Sequence, residues 1–217
     1  MSRYDLVVFD WDGTLMDSTG LIASCIREAC RDLGFPVPTE EASRWVIGLG
    51  FLDSVNHVAP GLDDDQRRSL AERYRAHYLA REDEVLLFEG IPALLGELRG
   101  RERRLAVATG KARRGLDRAL QSSGLGPVFE ATRCGDEGFP KPHPDMLLWL
   151  LDRTGVDPGR AVMIGDTTHD LELAANAGID AVAVCYGAHE PSLLRARTAR
   201  HYAESVEELG RWLRVHA

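Results

Sequence analysis

The sequence lacks the features that would assign it to a membrane or nucleic-acid-binding class. It contains no run of 18 apolar residues, so no membrane span is expected. Its formal charge is −8, and its richest basic stretches, 99–104 and 113–118, are interrupted by acidic residues. An acidic chain without a dense basic cluster binds nucleic acid or an anionic membrane poorly. We therefore expect neither as a partner.

Cysteines are also few and form no recognisable metal-binding pattern. The four contain no CxxC pair, and none stands at a zinc-finger spacing from a histidine. Reduced, mostly buried thiols are therefore expected. The first ten residues contain no long apolar segment followed by a cleavage site. We expect a cytoplasmic protein that is a monomer or a homodimer.

Short apolar runs alternate with helix-like stretches through most of the chain. The runs predict strands, and the stretches between them predict helices at 112–123, 144–154 and 170–177. Such alternation predicts an α/β fold, with a Rossmann-like parallel sheet covered by helices on both faces. Ligands of such sheets bind at the carboxyl ends of the strands. The predicted strands are 6–9, 105–108, 162–164 and 181–184.

The segment from residue 18 to about residue 84 interrupts that alternation. It contains no convincing strand, and its first apolar residues have helical spacing up to Gly34 and Pro36. Thr39 then precedes a second predicted helix, EEASRWVIGLG, and a longer amphipathic stretch follows at 63–81. We predict a catalytic core of residues 1–16 and 85–217, with an all-helical cap of residues 17–84 inserted.

Two aspartates follow the first predicted strand in the sequence DWDGT, residues 10–14. Two carboxylates two residues apart on an extended segment point the same way, and Gly13 lets the backbone turn after them. Clustered carboxylates favour a hard cation such as Mg²⁺ between them. Asp10 can act as a nucleophile, and Asp12 as a general acid and then a base. A capped turn after a strand would also explain these residue types.

Three further segments supply complementary groups. In GDTTHD, Asp166 and Asp170 could face one centre, although Asp166 or Thr167 could instead cap a helix. In ATGK, the Thr109 hydroxyl and nearby backbone N–H groups could hold phosphate oxygens. In FPKPHP, three prolines fix the backbone around Lys141, which suits a phosphate oxygen, unless the segment is a stiff surface loop.

The combination is more informative than any one segment. All these groups are expected at one edge of the sheet, where they form a full set for phosphoryl transfer. In order and spacing, DWDGT, ATGK, Lys141 and GDTTHD resemble the four motifs of the haloacid dehalogenase superfamily. The similarity is greatest to the branch of phosphoglycolate phosphatases and related small-phosphate phosphatases, and it extends from Asp5 to about Leu213.

This resemblance implies roles for individual residues. Asp10 would form an aspartyl phosphate, and Asp12 would be the acid–base group, with its backbone carbonyl on Mg²⁺. Thr109 and Lys141 would bind the transferring phosphoryl group. The remaining implied groups are the metal ligand Asp166, its supporting Asp170, and backbone amides near Trp11 to Gly13 and at Gly110.

Two features narrow the expected activity. The dehalogenases of the superfamily lack the second aspartate, so Asp12 favours an oxygen leaving group. Phosphonatases use a cap lysine, whereas the only two lysines here, Lys111 and Lys141, lie in the predicted core. We expect a Mg²⁺-dependent phosphatase acting on a small phosphomonoester, phosphoglycolate being the best guess. A sugar-phosphate mutase or phosphoryl transferase, and a non-catalytic regulatory module, are the alternatives.

The cap is expected to select the substrate. Gly48, within residues 47–51, could belong to a loop that descends on the site, or to a plain helix–helix turn. Arg44 could bind a substrate carboxylate or form a surface salt bridge. Residues 17–20 and 85–90 are candidate hinges for cap closure. The segment 187–198 could line the site or form a surface loop.

Overall fold

The computed structural model describes residues 3–217 and has a parallel six-stranded sheet at its centre. The strand order is β3-β2-β1-β4-β5-β6, so β1 lies in the middle. The α/β class and the four predicted strands are confirmed. The strands are β1 Leu6–Phe9, β2 Arg104–Thr109, β3 Ala131–Cys134, β4 Ala161–Gly165, β5 Asp180–Val184 and β6 His201–Ala203.

Two of these strands, β3 and β6, were not predicted from the sequence. They are the two edges of the sheet. Strand β3 reads ATRC, with two half-buried polar residues in its middle, and β6 is only three residues long. An edge strand buries less of its surface than a central one, so it lacks the continuous apolar run that identified the other four.

Helices and strands alternate in the core, whereas the described chain between β1 and β2 contains helices but no strand of the sheet. The three predicted core helices are confirmed as α6, α7 and α8, with starts shifted by one or two residues. The helices are α1 Thr19–Asp32, α2 Glu40–Trp45, α3 Phe51–Val58, α4 Asp64–Leu79, α5 Ile91–Gly100, α6 Arg113–Ser123, α7 Asp145–Thr154, α8 Thr168–Ala177, α9 Pro191–Arg195 and α10 Val206–His216. None of the helices in residues 3–217 is long and apolar enough to cross a membrane.

The sheet is buried on both faces, as its uninterrupted apolar strands require. Val7 and Phe9 of β1 pack into one layer, which also holds the apolar side of α5 and α10. Leu6 and Val8 face the other layer, where α7 and α8 contribute. Alternate residues of one strand therefore anchor helices on opposite faces.

The register of the central strands places their carboxyl ends together. Phe9 is paired with Val107 of β2 on one side and with Ile164 of β4 on the other. The Asp10 N–H continues this ladder and donates to the Ile164 carbonyl at 2.9 Å. The residues that follow β1, β2 and β4 are thereby brought to one edge of the sheet.

Helices α1–α4 form the helical cap, and they have an apolar cluster of their own. Its buried members are Ala29, Cys30, Val46, Val55, Val58, Ala59 and Leu70. Helix α2 begins where predicted, because the Thr39 hydroxyl accepts a hydrogen bond from the Ala42 N–H. It ends at Trp45, earlier than the predicted EEASRWVIGLG, since Gly48 turns the chain with a φ of +92° before α3 begins.

The two segments that connect the cap with the sheet run side by side. Met16 and Leu87 form an antiparallel bridge, and the Asp17 N–H donates to the Leu86 carbonyl at 2.9 Å. The Phe88 N–H donates in turn to the Leu15 carbonyl at 3.0 Å. The two candidate hinges, 17–20 and 85–90, are thus held together by backbone hydrogen bonds, and the first of them follows the DWDGT segment closely in the chain.

Candidate active site

Asp10 follows β1 directly and is completely buried. Its Oδ1 accepts a hydrogen bond from the Trp11 N–H at 2.7 Å and lies 3.0 Å from the Lys141 ammonium. Its Oδ2 is also buried but has no hydrogen-bond partner among residues 3–217. Leaving a buried carboxylate oxygen unpaired is costly, so this atom is placed for a group that is not part of the chain.

The surroundings of Asp10 shift its protonation in one clear direction. Burial raises the pKa of Asp10 to about 7, although the Lys141 ammonium opposes this and the Asp170 and Asp12 carboxylates add to it. A carboxyl group with this pKa is a poor nucleophile near neutral pH unless a further cation favours its ionised form.

Three buried carboxylates converge at this point. One oxygen from each of Asp10, Asp166 and Asp170 lies within 4.8 Å of the other two. Burial raises the pKa of Asp166 well above its usual value, and the Asp10 and Asp170 carboxylates raise it further. Hard divalent cations prefer clustered carboxylate oxygens of this kind, so the residues fit the predicted metal site.

Asp166 is held firmly in this group. Its Oδ1 accepts from the Thr14 hydroxyl at 2.8 Å, and its Oδ2 accepts from the Ala188 N–H at 2.7 Å. Gly13 lies against it with a φ of +83°, and an added Cβ there would come within 2.1 Å of Asp166 Oδ2. Segment 187–198 therefore lines the site through Ala188. From the sequence alone, this segment could equally have been a surface loop.

Asp170 has two structural tasks at once. Its Oδ1 accepts from the Lys141 ammonium at 2.6 Å, and its Oδ2 accepts from the backbone N–H and hydroxyl of Thr167. Thr167, rather than Asp166, is the N-cap of α8, with Asp170 completing a capping box. Helix capping thus orients a site carboxylate instead of competing with a role in the site.

Lys141 and Thr109 reach the site from two different segments. Lys141 lies in the loop between β3 and α7 and is completely buried between Asp10 and Asp170. Burial alone would lower its pKa, but these two carboxylates raise it above its ordinary value, so it stays an ammonium. Thr109 ends β2 and is 1 % exposed, and its hydroxyl accepts from the Lys111 N–H at 3.2 Å.

Asp12 has surroundings different from those of Asp10. Its Oδ1 accepts from the Ser18 hydroxyl at 2.7 Å, and the Lys111 ammonium lies 2.9 and 3.0 Å from its two oxygens. Its carboxylate is not among the converging three in residues 3–217, so its predicted metal contact through the backbone carbonyl stays a prediction. The two aspartates of DWDGT thus contact different lysines.

The loop around Gly48 descends from the cap onto the site. A Cβ on Gly48 would lie 3.8 Å from Asp10 Oδ2, and a Cβ on Gly110 would lie only 2.3 Å from the Gly48 carbonyl oxygen. A Cβ on Gly50 would lie 2.8 Å from the side-chain Cβ of Pro140. Close backbone contact of this kind requires glycine. The structure therefore brings together the predicted Gly48 and Gly110.

Two histidines fasten this loop to the core. The Nε2 atoms of His169 and His189 lie 2.9 and 3.0 Å from the same acceptor, the Trp45 carbonyl oxygen. Because His189 Nδ1 accepts from the Thr168 N–H, its Nε2 carries the proton. The Trp45 indole packs on His57 and on the edge of His169, at 4.3 and 4.8 Å.

Arg44 is the predicted site residue with the least direct connection to Asp10. Its guanidinium donates to the Thr19 hydroxyl at 3.2 Å and to Glu40 at 3.4 Å. Its contact with a substrate carboxylate stays a prediction. Trp11 contributes its backbone N–H, while its buried indole packs edge-on against Phe129.

Several contributors were missed from the sequence. Ser18, Tyr78, His169 and His189 each contact a site group or the loop above it. The contacts of His169 and His189 with the Trp45 carbonyl span 124 and 144 positions of the chain, so no local pattern could reveal them. Thr14 belongs to the DWDGT motif, but the sequence assigned it no role, so its hydrogen bond to Asp166 was missed as well.

The chain belongs to the haloacid dehalogenase-like hydrolase family, whose model matches residues 7–184. Among curated relatives, Probable phosphatase IndB of Dickeya dadantii is 34 % identical over 94 % of this chain and 91 % of its own. Phosphoglycolate phosphatase of Vibrio vulnificus is 30 % identical over 94 % and 93 %. Tyrosine-protein kinase PtkA of Mycobacterium tuberculosis is 35 % identical over 94 % of this chain and 70 % of its own.

The fold is shared with solved structures of the same family. A haloacid dehalogenase-like hydrolase from Bacteroides fragilis superposes with a TM-score of 0.87 at 25 % identity. The match covers 95 % of this chain and 100 % of that one. The arrangement of sheet and helical cap is therefore that of the family.

Proposed function

We propose that this chain is a Mg²⁺-dependent phosphatase that hydrolyses a small organic phosphomonoester, with phosphoglycolate as the best single candidate. The observation that carries the proposal is the pairing of each DWDGT aspartate with its own lysine. Asp10 is buried, with its Oδ1 beside the Lys141 ammonium and its Oδ2 without a hydrogen-bond partner among the described residues, whereas Asp12 contacts Lys111 and Ser18. The relatives named as phosphatases support the same activity.

The proposed reaction has two steps, and this separation assigns a role to each aspartate. An oxygen of Asp10 bonds to phosphorus while the ester P–O bond breaks, and Asp12 gives its proton to the leaving oxygen. Water then bonds to phosphorus, Asp12 takes a proton from it, and the Asp10–phosphorus bond breaks to release phosphate. Lys141 offsets negative charge on the transferring group, and the cap loop at Gly48 excludes bulk water.

Asp10, Asp166 and Asp170 would hold the Mg²⁺ ion. When bound, the ion would favour the ionised form of Asp10 and neutralise charge on the phosphoryl oxygens. Its identity as Mg²⁺ is part of the proposal and is supported by the all-oxygen donor set.

The test is release of inorganic phosphate from a panel of metabolite phosphates, with Mg²⁺ and with EDTA. We expect release that requires the metal and falls by at least about 10³-fold in Asp10→Asn. Asp152→Asn, an exposed aspartate of α7, is the matched control and should match the wild type. Full activity in Asp10→Asn would contradict the mechanism.

A phosphoryl transferase, including a sugar-phosphate mutase, is the second candidate. It is favoured by one observation, the 35 % identity to a protein named tyrosine-protein kinase. A transferase would give a phosphorylated or isomerised product in place of free phosphate, which phosphorus NMR of the reaction distinguishes. A non-catalytic module would bind phosphate esters without turnover of any of them. The predicted cytoplasmic location and the predicted absence of nucleic-acid and membrane partners stay predictions.

A further inference from the structure

The carbonyl group of Trp45 is a point at which the cap is held to the core. Trp45 is the last residue of α2, and carbonyl groups at a helix end lack the partners that a further turn would supply. No backbone N–H among residues 3–217 donates to this oxygen. Because a carbonyl oxygen can only accept, the Nε2 atoms of His169 and His189 both donate to it, at 2.9 and 3.0 Å. Two core side chains thus use both lone pairs of one main-chain oxygen of the cap.

This histidine latch, formed by His169, His189 and the Trp45 carbonyl, is shielded from water. Both histidines are 4 % exposed, and their rings meet edge to face with centres 4.9 Å apart. His189 Nδ1 accepts from the Thr168 N–H at 3.1 Å, which orients the ring so that its Nε2–H is directed to the cap. Buried hydrogen bonds face little competition from water, so the latch defines one position of the chain at Trp45.

The latched carbonyl also fixes the loop that covers Asp10. Gly48 follows Trp45 by three residues, which span no more than about 10 Å even when fully extended. A Cβ on Gly48 would lie 3.4 Å from Thr167 Oγ1 and 3.8 Å from Asp10 Oδ2. That oxygen is the one without a hydrogen-bond partner among residues 3–217. With the loop in this position, Asp10 is completely buried.

We propose that His189 and His169 are positioning residues that hold the Gly48 loop over Asp10, so that water and no larger molecule accepts the phosphoryl group from it. This inference rests on the proposed function and adds to it what decides between hydrolysis and transfer. In transfer, an alcohol oxygen bonds to phosphorus, its proton passes to Asp12, and the Asp10–phosphorus bond breaks to give a new phosphate ester. An alcohol is larger than water and enters only when the loop moves away, which the latch opposes.

Two substitutions of His189 separate the latch from support of α8. The side-chain oxygen of asparagine can replace Nδ1 as the acceptor for the Thr168 N–H, but asparagine ends too early to replace Nε2. The side-chain amide of glutamine reaches the position of Nε2 and can restore the donor to Trp45. The latch therefore predicts an altered His189→Asn and a nearly normal His189→Gln, whereas a purely structural role at α8 predicts the reverse order.

The ratio of products measures access to Asp10 without depending on the amount of folded protein. A phosphomonoester from the panel above is turned over in water that contains ethylene glycol, and phosphorus NMR compares phosphorylated glycol with free phosphate. Loss of one neutral hydrogen bond changes an equilibrium roughly 2- to 10-fold, so this ratio should rise by that factor in His189→Asn and by less than about 2-fold in His189→Gln. An unchanged ratio in His189→Asn, or an equal rise in both variants, would overturn the inference.

Hydrogen exchange tests the latch without any turnover. The backbone amides of residues 46–50 should exchange roughly 2- to 10-fold faster in His189→Asn than in the wild type, while those of the central strands stay unchanged. Equal exchange of residues 46–50 in both proteins would overturn the inference. So would faster exchange throughout the chain, because a general loss of stability would then explain the result.

His216→Leu is the matched control. The Nδ1 atom of His216 lies 2.8 Å from the Trp212 carbonyl oxygen, beside the start of β1 and thus at the other end of that strand from Asp10. This variant should change neither the product ratio nor the exchange of residues 46–50. If the wild type released no phosphate from any ester, the hydrolytic function would fail, while hydrogen exchange would still decide whether His189 holds the loop.

Discussion

The sheet edge and the cap use charged residues in opposite ways. At the edge, Asp10, Lys141, Asp166 and Asp170 are completely buried and depend on one another. In the cap, pairs such as Arg68–Asp65 have side chains that are 68 % and 89 % exposed. Exposed pairs of this kind contribute about 0–1 kcal/mol, whereas removing one partner of a buried pair costs about 3–5 kcal/mol.

This difference shows what holds each region together. The cap folds around its own apolar cluster, and charged pairs such as Arg68–Asp65 remain exposed to solvent. The sheet edge concentrates three carboxylates against one ammonium, an arrangement that favours binding a cation over maximal stability. The two regions meet where glycine backbones touch, at Gly48 and Gly110.

The largest expected effect comes from breaking the buried pair. Lys141→Met leaves Asp10 and Asp170 without their common ammonium, and we expect the free energy of unfolding to fall by about 3 kcal/mol, with loss of activity. Arg68→Met in the cap is the control and should change stability by less than about 0.5 kcal/mol. Urea unfolding of both variants measures this, and similar losses would contradict the contrast between the regions.

A smaller effect is expected where the cap meets the core. Gly110→Ala places a Cβ 2.3 Å from the Gly48 carbonyl oxygen, so the cap loop has to move away from Asp10. We expect kcat to fall about 10²-fold, because a misplacement of about 1 Å has this effect on catalysis. Gly96→Ala, in α5 with open space around it, should keep full activity and gain about 0.5–1 kcal/mol of stability. Unchanged kcat in Gly110→Ala would show that the loop contact is dispensable.

A third expected effect is a pH dependence of the stability of the metal-free protein. Burial raises the pKa of Asp10 from 3.8 to about 7. Between these pH values, the folded state therefore holds a proton on Asp10 that the unfolded chain has already released. The stability linked to this group is complete below about pH 4 and is lost as pH rises towards 7.

Thermal unfolding in EDTA at pH 5 and pH 8 measures this dependence. Addition of Mg²⁺ at 100 times its Kd should contribute about 2.7 kcal/mol, and more Mg²⁺ should be needed at pH 5 because protons compete for the same oxygens. Asp10→Asn should show less pH dependence than the wild type. A Tm independent of Mg²⁺ at pH 8 would contradict the metal site.

Much of the fold followed from the sequence because the central strands are buried on both faces. Residues 6–9, 105–108, 162–164 and 181–184 read as continuous apolar runs, and each run is a strand. The edge strands β3 and β6 were not predicted, because they bury less of their surface than central strands and contain polar residues. The end of α2 was predicted only in part, because the sequence indicated a possible loop or turn at Gly48 but not that the helix already ends at Trp45.

For the site, the sequence by itself determined which residue types stand after which strands. That was sufficient to expect Asp10, Asp12, Thr109, Asp166 and Asp170 at one edge, because motifs at strand ends are local and parallel strands end at a common edge. Lys141 lies in the loop after the unpredicted strand β3, so only the FPKPHP segment and its family resemblance indicated it. Only the tertiary structure decided their pairing: Lys141 with Asp10 and Asp170, Lys111 with Asp12, and two histidines with the Trp45 carbonyl. These contacts join segments that are distant in the chain. A short sequence pattern does not indicate which distant groups will be buried together.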